Sequence, residues 1–387
     1  MTREERNKKL DQRIYMEKRP DLIKELGIKE KCLDNAKQQT QYKIRYVSEY
    51  VREWLYVAVN MDVKNIIFID AMANAGIYKD GAIGTSIEVL MLFREFADQH
   101  RDKSFYLLLN DRNKDRLVAQ EKLIAYFMGD SKPDNIIIQL KDDDVNDYLE
   151  NYQMFDEIIG HDRSMCVLFV DPYNFRTVRI NRIQRFVERY YCEVLFNIFT
   201  SDRVRNDDDS QIQECLGDII IPTGKDTINV IANALKTGYI KFAFSYAFRI
   251  RTNIELYQIM FLTPNKRGLE KLKDAVWTVF DGAKYYRNTN MIPEQISMFD
   301  SKEIQSYTLQ EYASDAQGLL LQDFHGKGYS YEEIELYIIQ NTMLRSSHVI
   351  KNVIKPLMKT GQIIKEGHVS GRNYKGDRYT VNGGTYN

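Results

Sequence analysis

The 387-residue chain has only four cysteines, no CxxC pair and a net charge of −1. Cys32, Cys166, Cys192 and Cys215 are scattered, and Cys166 and Cys192 fall in apolar runs. Buried free thiols are therefore expected rather than a disulfide or metal framework. The near-zero charge gives no global pull toward nucleic acid, so any basic surface must be local. No apolar run is long enough to cross a membrane and no signal peptide is evident, which points to the cytoplasm. His161, His325, His348 and His368 show no metal spacing, and no nucleophile stands beside a base. A GxGxxG dinucleotide fingerprint is also lacking.

What is present is an ordinary globular balance, 44% apolar and 28% charged residues. The length suits one large domain and a smaller one. The 26 tyrosines and 18 phenylalanines could serve packing or base stacking.

The organising stretch is Ile66-Ile67-Phe68-Ile69-Asp70, an all-apolar run ending in an acid and opening into the small-residue turn Ala71, Ala73, Ala75, Gly76. A run of this kind suits a parallel strand covered on both faces. Similar runs end in Asn110-Asp111, in Lys141-Asp142-Asp143-Asp144, in Asp171-Pro172-Tyr173 and in Thr200-Ser201-Asp202. Strand, polar turn and helix in repetition predict a parallel α/β sheet with its ligand at the carboxyl ends of the strands. Residues 240–248 and 256–262, joined by a short polar link, predict an antiparallel hairpin, hence a seven-stranded, Rossmann-like sheet of the S-adenosylmethionine-dependent methyltransferase type. Residues 1–38 read as a helical extension with a solvated face, 39–287 as the sheet domain and 288–304 as a linker.

Residues 305–387 follow the order helix, turn, helix, hairpin of a winged-helix domain. Lys351, Lys355, Arg372, Lys375 and Arg378 give it a local basic face. Phosphate contacts with DNA or docking of a protein both fit that pattern. In the linker, Gln295-Ile296-Ser297-Met298-Phe299 resembles the pentapeptide that binds the bacterial sliding clamp. Gln295 would bond at the pocket edge while Met298 and Phe299 fill it. The bland reading is two apolar residues tacking the linker to the core.

Several collinear segments resemble the three-Cys-motif partner (TcmP) family. They are Gln39-Thr40-Gln41-Tyr42-Lys43-Ile44, residues 68–78 with Gly81, Gly84 and Ser86, Phe169-Val170-Asp171-Pro172-Tyr173, Glu193-Val194-Leu195-Phe196-Asn197 and Gly268-Leu269-Glu270-Lys271-Leu272. The resemblance implies a methyltransferase-like fold, a winged-helix tail and a radical-SAM-like partner carrying a three-cysteine motif. The chain departs from it in one place: the family's Gly-Pro-Gly is here Ala73-Asn74-Ala75-Gly76. Alanine excludes positive-φ conformations open to glycine, so close approach of a cofactor is the point at issue.

On a methyltransferase fold, Asp70, Ala73 and Gly76 would line the first turn, Asp111 would accept from ribose hydroxyls, and Asp142 or Asp143 would face adenine. Asp171, Pro172 and Tyr173 resemble the loop of amino-methyltransferases that holds a target amine and stacks on a flipped base. A structural turn is the competing reading. Two functions follow: a methyltransferase-like component of DNA modification, repair or defence, or a cofactor-free DNA-binding adaptor.

Overall fold

The computed structural model describes residues 18–129, 133–160, 163–205, 210–222, 226–251, 254–288, 301–324, 326, 328–366 and 376–382. The chain divides into two compact units, 1–268 with 285–289, and 269–284 with 290–387.

The first unit is built on β1 (Asn65–Asp70), whose six residues are all buried. β1 lies between β2 (Ser104–Asn110) and β4 (Ser164–Val170), parallel to both, and β3 (Ile136–Lys141) and β5 (Cys192–Ile198) extend the parallel array. Alternate residues serve opposite faces: Ile67 and Ile69 join one core cluster with Val145, Phe186 and Ile231, while Phe68 meets Phe169 on the other side. Each fully buried Ile or Phe of this kind contributes about 2 kcal/mol of hydrophobic stabilisation. That two-sided burial is why the strands read as continuous apolar runs rather than alternating ones.

Helices α1 (Pro20–Glu25), α2 (Gln38–Ala58), α3 (Thr85–Ala97), α4 (Lys114–Met128), α5 (Val145–Leu149), α6 (Tyr152–Phe155), α7 (Ile180–Arg189), α8 (Thr200–Arg205), α9 (Ser210–Leu216) and α10 (Thr227–Leu235) join the strands. Neighbouring α2, α3 and α4 form one helical layer, and α5, α9 and α10 gather on α7 in another. Asn113 caps α4 and Asp226 caps α10, each side chain accepting from a backbone N–H of the first turn. The N-terminal extension is not merely a solvated face: α1 buries Leu22 and Ile23, and Cys32 and Leu33 are buried just beyond it.

The sheet order is β3-β2-β1-β4-β5-β7-β6-β8, in which β6 (Phe242–Arg251) and β7 (Ile254–Thr263) are the expected hairpin. β7 runs antiparallel to β5. There are eight strands where seven were expected. After α11 (Lys266–Phe280), whose residues from Leu269 onward group with the second unit, the chain adds β8 (Tyr285–Arg287) parallel to the free edge of β6. Burial of Tyr286 against Phe248 and Tyr42 holds it there.

The second unit carries the rest of α11, α12 (Ser301–Asp323), β9 (Gly328–Ser330), α13 (Tyr331–Asn341), α14 (Ser346–His348), a π-helical turn (Val349–Ile354), α15 (Lys355–Lys359), β10 (Ile363–Glu366) and β11 (Arg378–Val381). Its three strands form an antiparallel sheet in the order β10-β11-β9. A reciprocal capping box between Ser330 and Glu333 starts α13. Helix α12 begins at Ser301, inside the segment read as linker. Trp277 of α11 donates to Met343 O (2.7 Å) and meets His348 edge to face, and the buried Lys273 donates to Thr342 O (2.7 Å), so the turn before α14 is held by hydrogen bonds to its carbonyls.

Candidate functional site at the strand ends

The carboxyl ends of β1 to β5 share one edge of the sheet because the strands are parallel and in register. Asn110, last in β2, ties three of these ends together. Its amide donates to Ala71 O (3.0 Å) and Asp143 O (3.1 Å) and accepts from Asp143 N (3.1 Å). Asp70, last in β1, is buried and accepts from Met72 N at 3.2 Å. Burial first, and the charge of Asp171 second, push its carboxyl up to about 8, so it keeps its proton at neutral pH.

The turn after β1 resolves the question raised by its alanines. The left-handed positions are Asn74 (φ 56°) and Gly76 (φ 74°), whereas Ala73 and Ala75 are not among the positive-φ residues. Asparagine tolerates that conformation, and here its side chain bonds to the N–H of Ala75 (2.7 Å). Gly76 suits its left-handed φ, and a Cβ there would lie 2.8 Å from Gln120 Oε1, so any other residue would also have to push Gln120 aside. Gln120, buried on α4, donates to Ala73 O (2.9 Å) and Ser86 Oγ (2.6 Å) and so fixes the loop.

A cavity of about 330 Å³ opens beside this loop, with Met72, Asp111, Arg116, Asp143, Val145 and Tyr173 in its wall. That volume falls in the range of small-molecule sites. A larger cleft of about 530 Å³ follows the edge strand β3 and, among the described residues, brings together only Lys141 and Glu157 as charged groups, a poorer setting for chemistry. Asp111 accepts from Asn113 N (2.8 Å) through one oxygen and from Asn74 N (3.1 Å) through the other, with Arg116 at 3.5 Å. Of the other expected cofactor residues, Asp143 lines the cavity. Asp70, Ala73 and Gly76 are not among its lining residues, and Asp142 points outward to Lys114 (3.0 Å), whose hydrogen bond holds the Asp142 carboxyl below its usual range.

The turn 171–174 divides its residues between two directions. Asp171 faces inward: Lys43 Nζ lies 2.5 Å from one carboxylate oxygen and Asn197 Nδ2 donates to the other at 2.7 Å. Pro172 is buried, and Tyr173 is half exposed at the cavity mouth. Burial raises the Tyr173 phenol above its ordinary value, so it stays neutral. The Arg116 guanidinium stacks on the Tyr173 ring at 5.2 Å and donates to its hydroxyl.

The segment leading into α2 crosses this corner. Arg116 donates to Cys32 O (3.2 Å) and to Asp34 (2.9 Å), and Asp34 also accepts from Asn74 Nδ2 (2.9 Å). Sequence reading missed Asp34, Asn110, Arg116 and Gln120. Arg116 stands in the first turn of the helix after β2, a position that could have drawn attention. Asp34 carries no local signal, because its partners lie 40 to 139 residues away.

In the second unit, Lys351 and Lys355 are exposed on the helical stretch before β10, and Lys359 follows at the same spacing. Arg378 is exposed and donates to Gly328 O at 2.6 Å. Arg372 and Lys375, and the clamp-like residues Gln295, Met298 and Phe299, lie outside the described residues. No helix among the described residues is long and apolar enough to cross a membrane. In comparisons with known proteins, no family model matches the chain and no curated protein is significantly similar to it.

Proposed function

We propose that the first unit is an S-adenosylmethionine-dependent, methyltransferase-like domain of the three-Cys-motif partner kind. It would serve DNA modification, repair or defence together with a radical-SAM-like partner. The observation that carries this reading is the pair Asp111 and Asp143, set at the ends of β2 and β3 around one small-molecule-sized cavity. The strand order supports it, since β3-β2-β1-β4-β5-β7-β6 with β7 antiparallel is the methyltransferase arrangement and β8 is an added edge.

The donor set fits such a cofactor. Asp111 retains acceptor capacity on the oxygen that bonds only Asn113 N, which suits a ribose hydroxyl. Asp143 suits an exocyclic amine, with Met72 and Val145 as apolar walls for a planar ring. When bound, the cofactor would supply an electrophilic methyl group. Tyr173 at the mouth offers a stacking face, and the Lys43–Asp171–Asn197 contacts hold its turn in place. Calorimetric titration with S-adenosylmethionine tests the reading: micromolar binding is expected in the native protein, a loss of about tenfold or more in Asp111→Ala, and no change in Asp142→Ala. Native protein that binds no cofactor, with or without DNA, would sink it.

A second reading, a DNA-binding adaptor without cofactor, is favoured by one observation: Asp111 already accepts two backbone N–H groups and faces Arg116. Under either reading the second unit is the nucleic-acid module. Its order α12, β9, α13, α14–α15, β10, β11 supports a winged helix with Lys351 and Lys355 on the recognition helix. The clamp-like pentapeptide would add a contact to the replication machinery.

A further inference from the structure

Asp34 and Arg116 form a connected polar group at the cavity mouth that the cofactor reading leaves unused. All three guanidinium nitrogens of Arg116 are engaged: Nε donates to Cys32 O, Nη2 to Asp34 and Nη1 to Tyr173, with Asp111 beside it. Two of these partners, Asp111 and Tyr173, line the cavity, as Arg116 does itself. Asp34 is more open than the arginine it holds, with 39% of its side chain exposed against 14%. One oxygen of Asp34 takes hydrogen bonds from both Arg116 and Asn74 and lies 3.4 Å from the Tyr173 hydroxyl, while its carbonyl accepts from Lys79 N. A planar guanidinium can receive a pair of anionic oxygens, and here an internal carboxylate supplies one, to Nη2.

We propose that Asp34 is a displaceable carboxylate seated in an anion subsite beside the cavity, on its wall residue Arg116. A ligand's anionic oxygen group takes its place on Arg116 and frees the segment around residue 34 from the rim. The proposal rests on the cofactor-site reading only for what the cavity holds; the subsite itself stands on the Asp34–Arg116–Asn74 geometry. Exchange of one carboxylate for another anion conserves the charge on Arg116, so the arginine is never left unpaired. It also makes Asp34 a competitor, and removing it should tighten anion binding rather than weaken it.

Cys32 reports on the segment without any ligand. It is buried at 4% exposure, its carbonyl is held by Arg116, and its thiol donates to Lys29 O at 2.9 Å. The test is site-resolved alkylation by N-ethylmaleimide under native conditions, with the core thiols Cys166, Cys192 and Cys215 as internal controls. Asp34→Ala, and Asp34→Asn as the gentler variant, should raise Cys32 alkylation about tenfold and leave the controls unchanged. Inorganic phosphate and acetate, each compared with chloride at equal ionic strength, should accelerate Cys32 alkylation in the native protein. They should add nothing in Arg116→Gln. Whichever anion acts more strongly names the ligand's group. Unchanged Cys32 reactivity in both Asp34 variants, or an equal anion effect in Arg116→Gln, would overturn the proposal. Failure of S-adenosylmethionine to bind would overturn the cofactor reading alone.

Discussion

Glu193 shows what a single buried carboxyl contributes. It stands in β5 with its oxygens accepting from Tyr50 and from Thr263 Oγ1 (2.7 Å), and Gly268 is required beside it because a Cβ there would lie 2.0 Å from Glu193 Oε1. Burial pushes the carboxyl up to about 7, against the two hydrogen bonds that favour its charge. A folded pKa above the unfolded one stabilises fully below the unfolded value, and that stability is lost as pH rises through the folded value. The window is therefore about 4.5 to about 7. Asp70, raised to about 8, acts with the same sign. Glu193→Gln keeps an acceptor for Tyr50, and its amide can donate to Thr263, whose hydroxyl then turns to Asn265 O (3.1 Å). Urea denaturation should show the native protein losing about 3 kcal/mol relative to Glu193→Gln between the two ends of that window. A constant difference across pH would place the titration elsewhere.

At the scale of elements, Asn110 is the pin of the site. One side chain serves the ends of β1, β2 and β3 and is buried at 1% exposure. Asn110→Asp would set a carboxylate against the carbonyls of Ala71 and Asp143 in place of a donor. The expected cost is about 3 kcal/mol in urea denaturation, with cofactor binding weakened because Asp143 is no longer held. A cost below about 0.5 kcal/mol would mean that the strand ends are held by other contacts. The strands themselves were legible in the chain, since Ile66 to Ile69 and Val194 to Phe196 are buried on both faces and must be apolar throughout. The ends were legible too, because Asp70 closes the first run and Asp111, Asp142 and Asp171 directly follow β2, β3 and β4. The alanines of the β1 turn misled, as attention fell on residues 73 and 75 while Asn74 took the left-handed position. β8 was missed because three residues held by one buried tyrosine leave no periodic trace. Asp34 was invisible for a different reason: its role exists only through partners brought near by the tertiary fold.

Across the whole molecule, the net charge of −1 conceals a local asymmetry in the second unit. Lys351, Lys355 and Lys359 are exposed at four-residue spacing, a row suited to successive phosphates. Lys351→Ala and Lys355→Ala should each lower the slope of log affinity against log salt by about 1 for duplex DNA, measured by fluorescence anisotropy. A slope unaffected by both changes would assign that face to a protein partner.

The two tryptophans of the chain fall one to each unit, Trp54 buried in α2 and Trp277 buried beside His348. Each unit thus carries its own fluorophore. Trp54→Phe leaves an emission that belongs to the second unit alone, from an indole packed edge to face on His348. Trp277→Phe leaves the converse signal. The cooperativity of the two units can therefore be read optically, from whether the two single-tryptophan proteins melt at one temperature or at two.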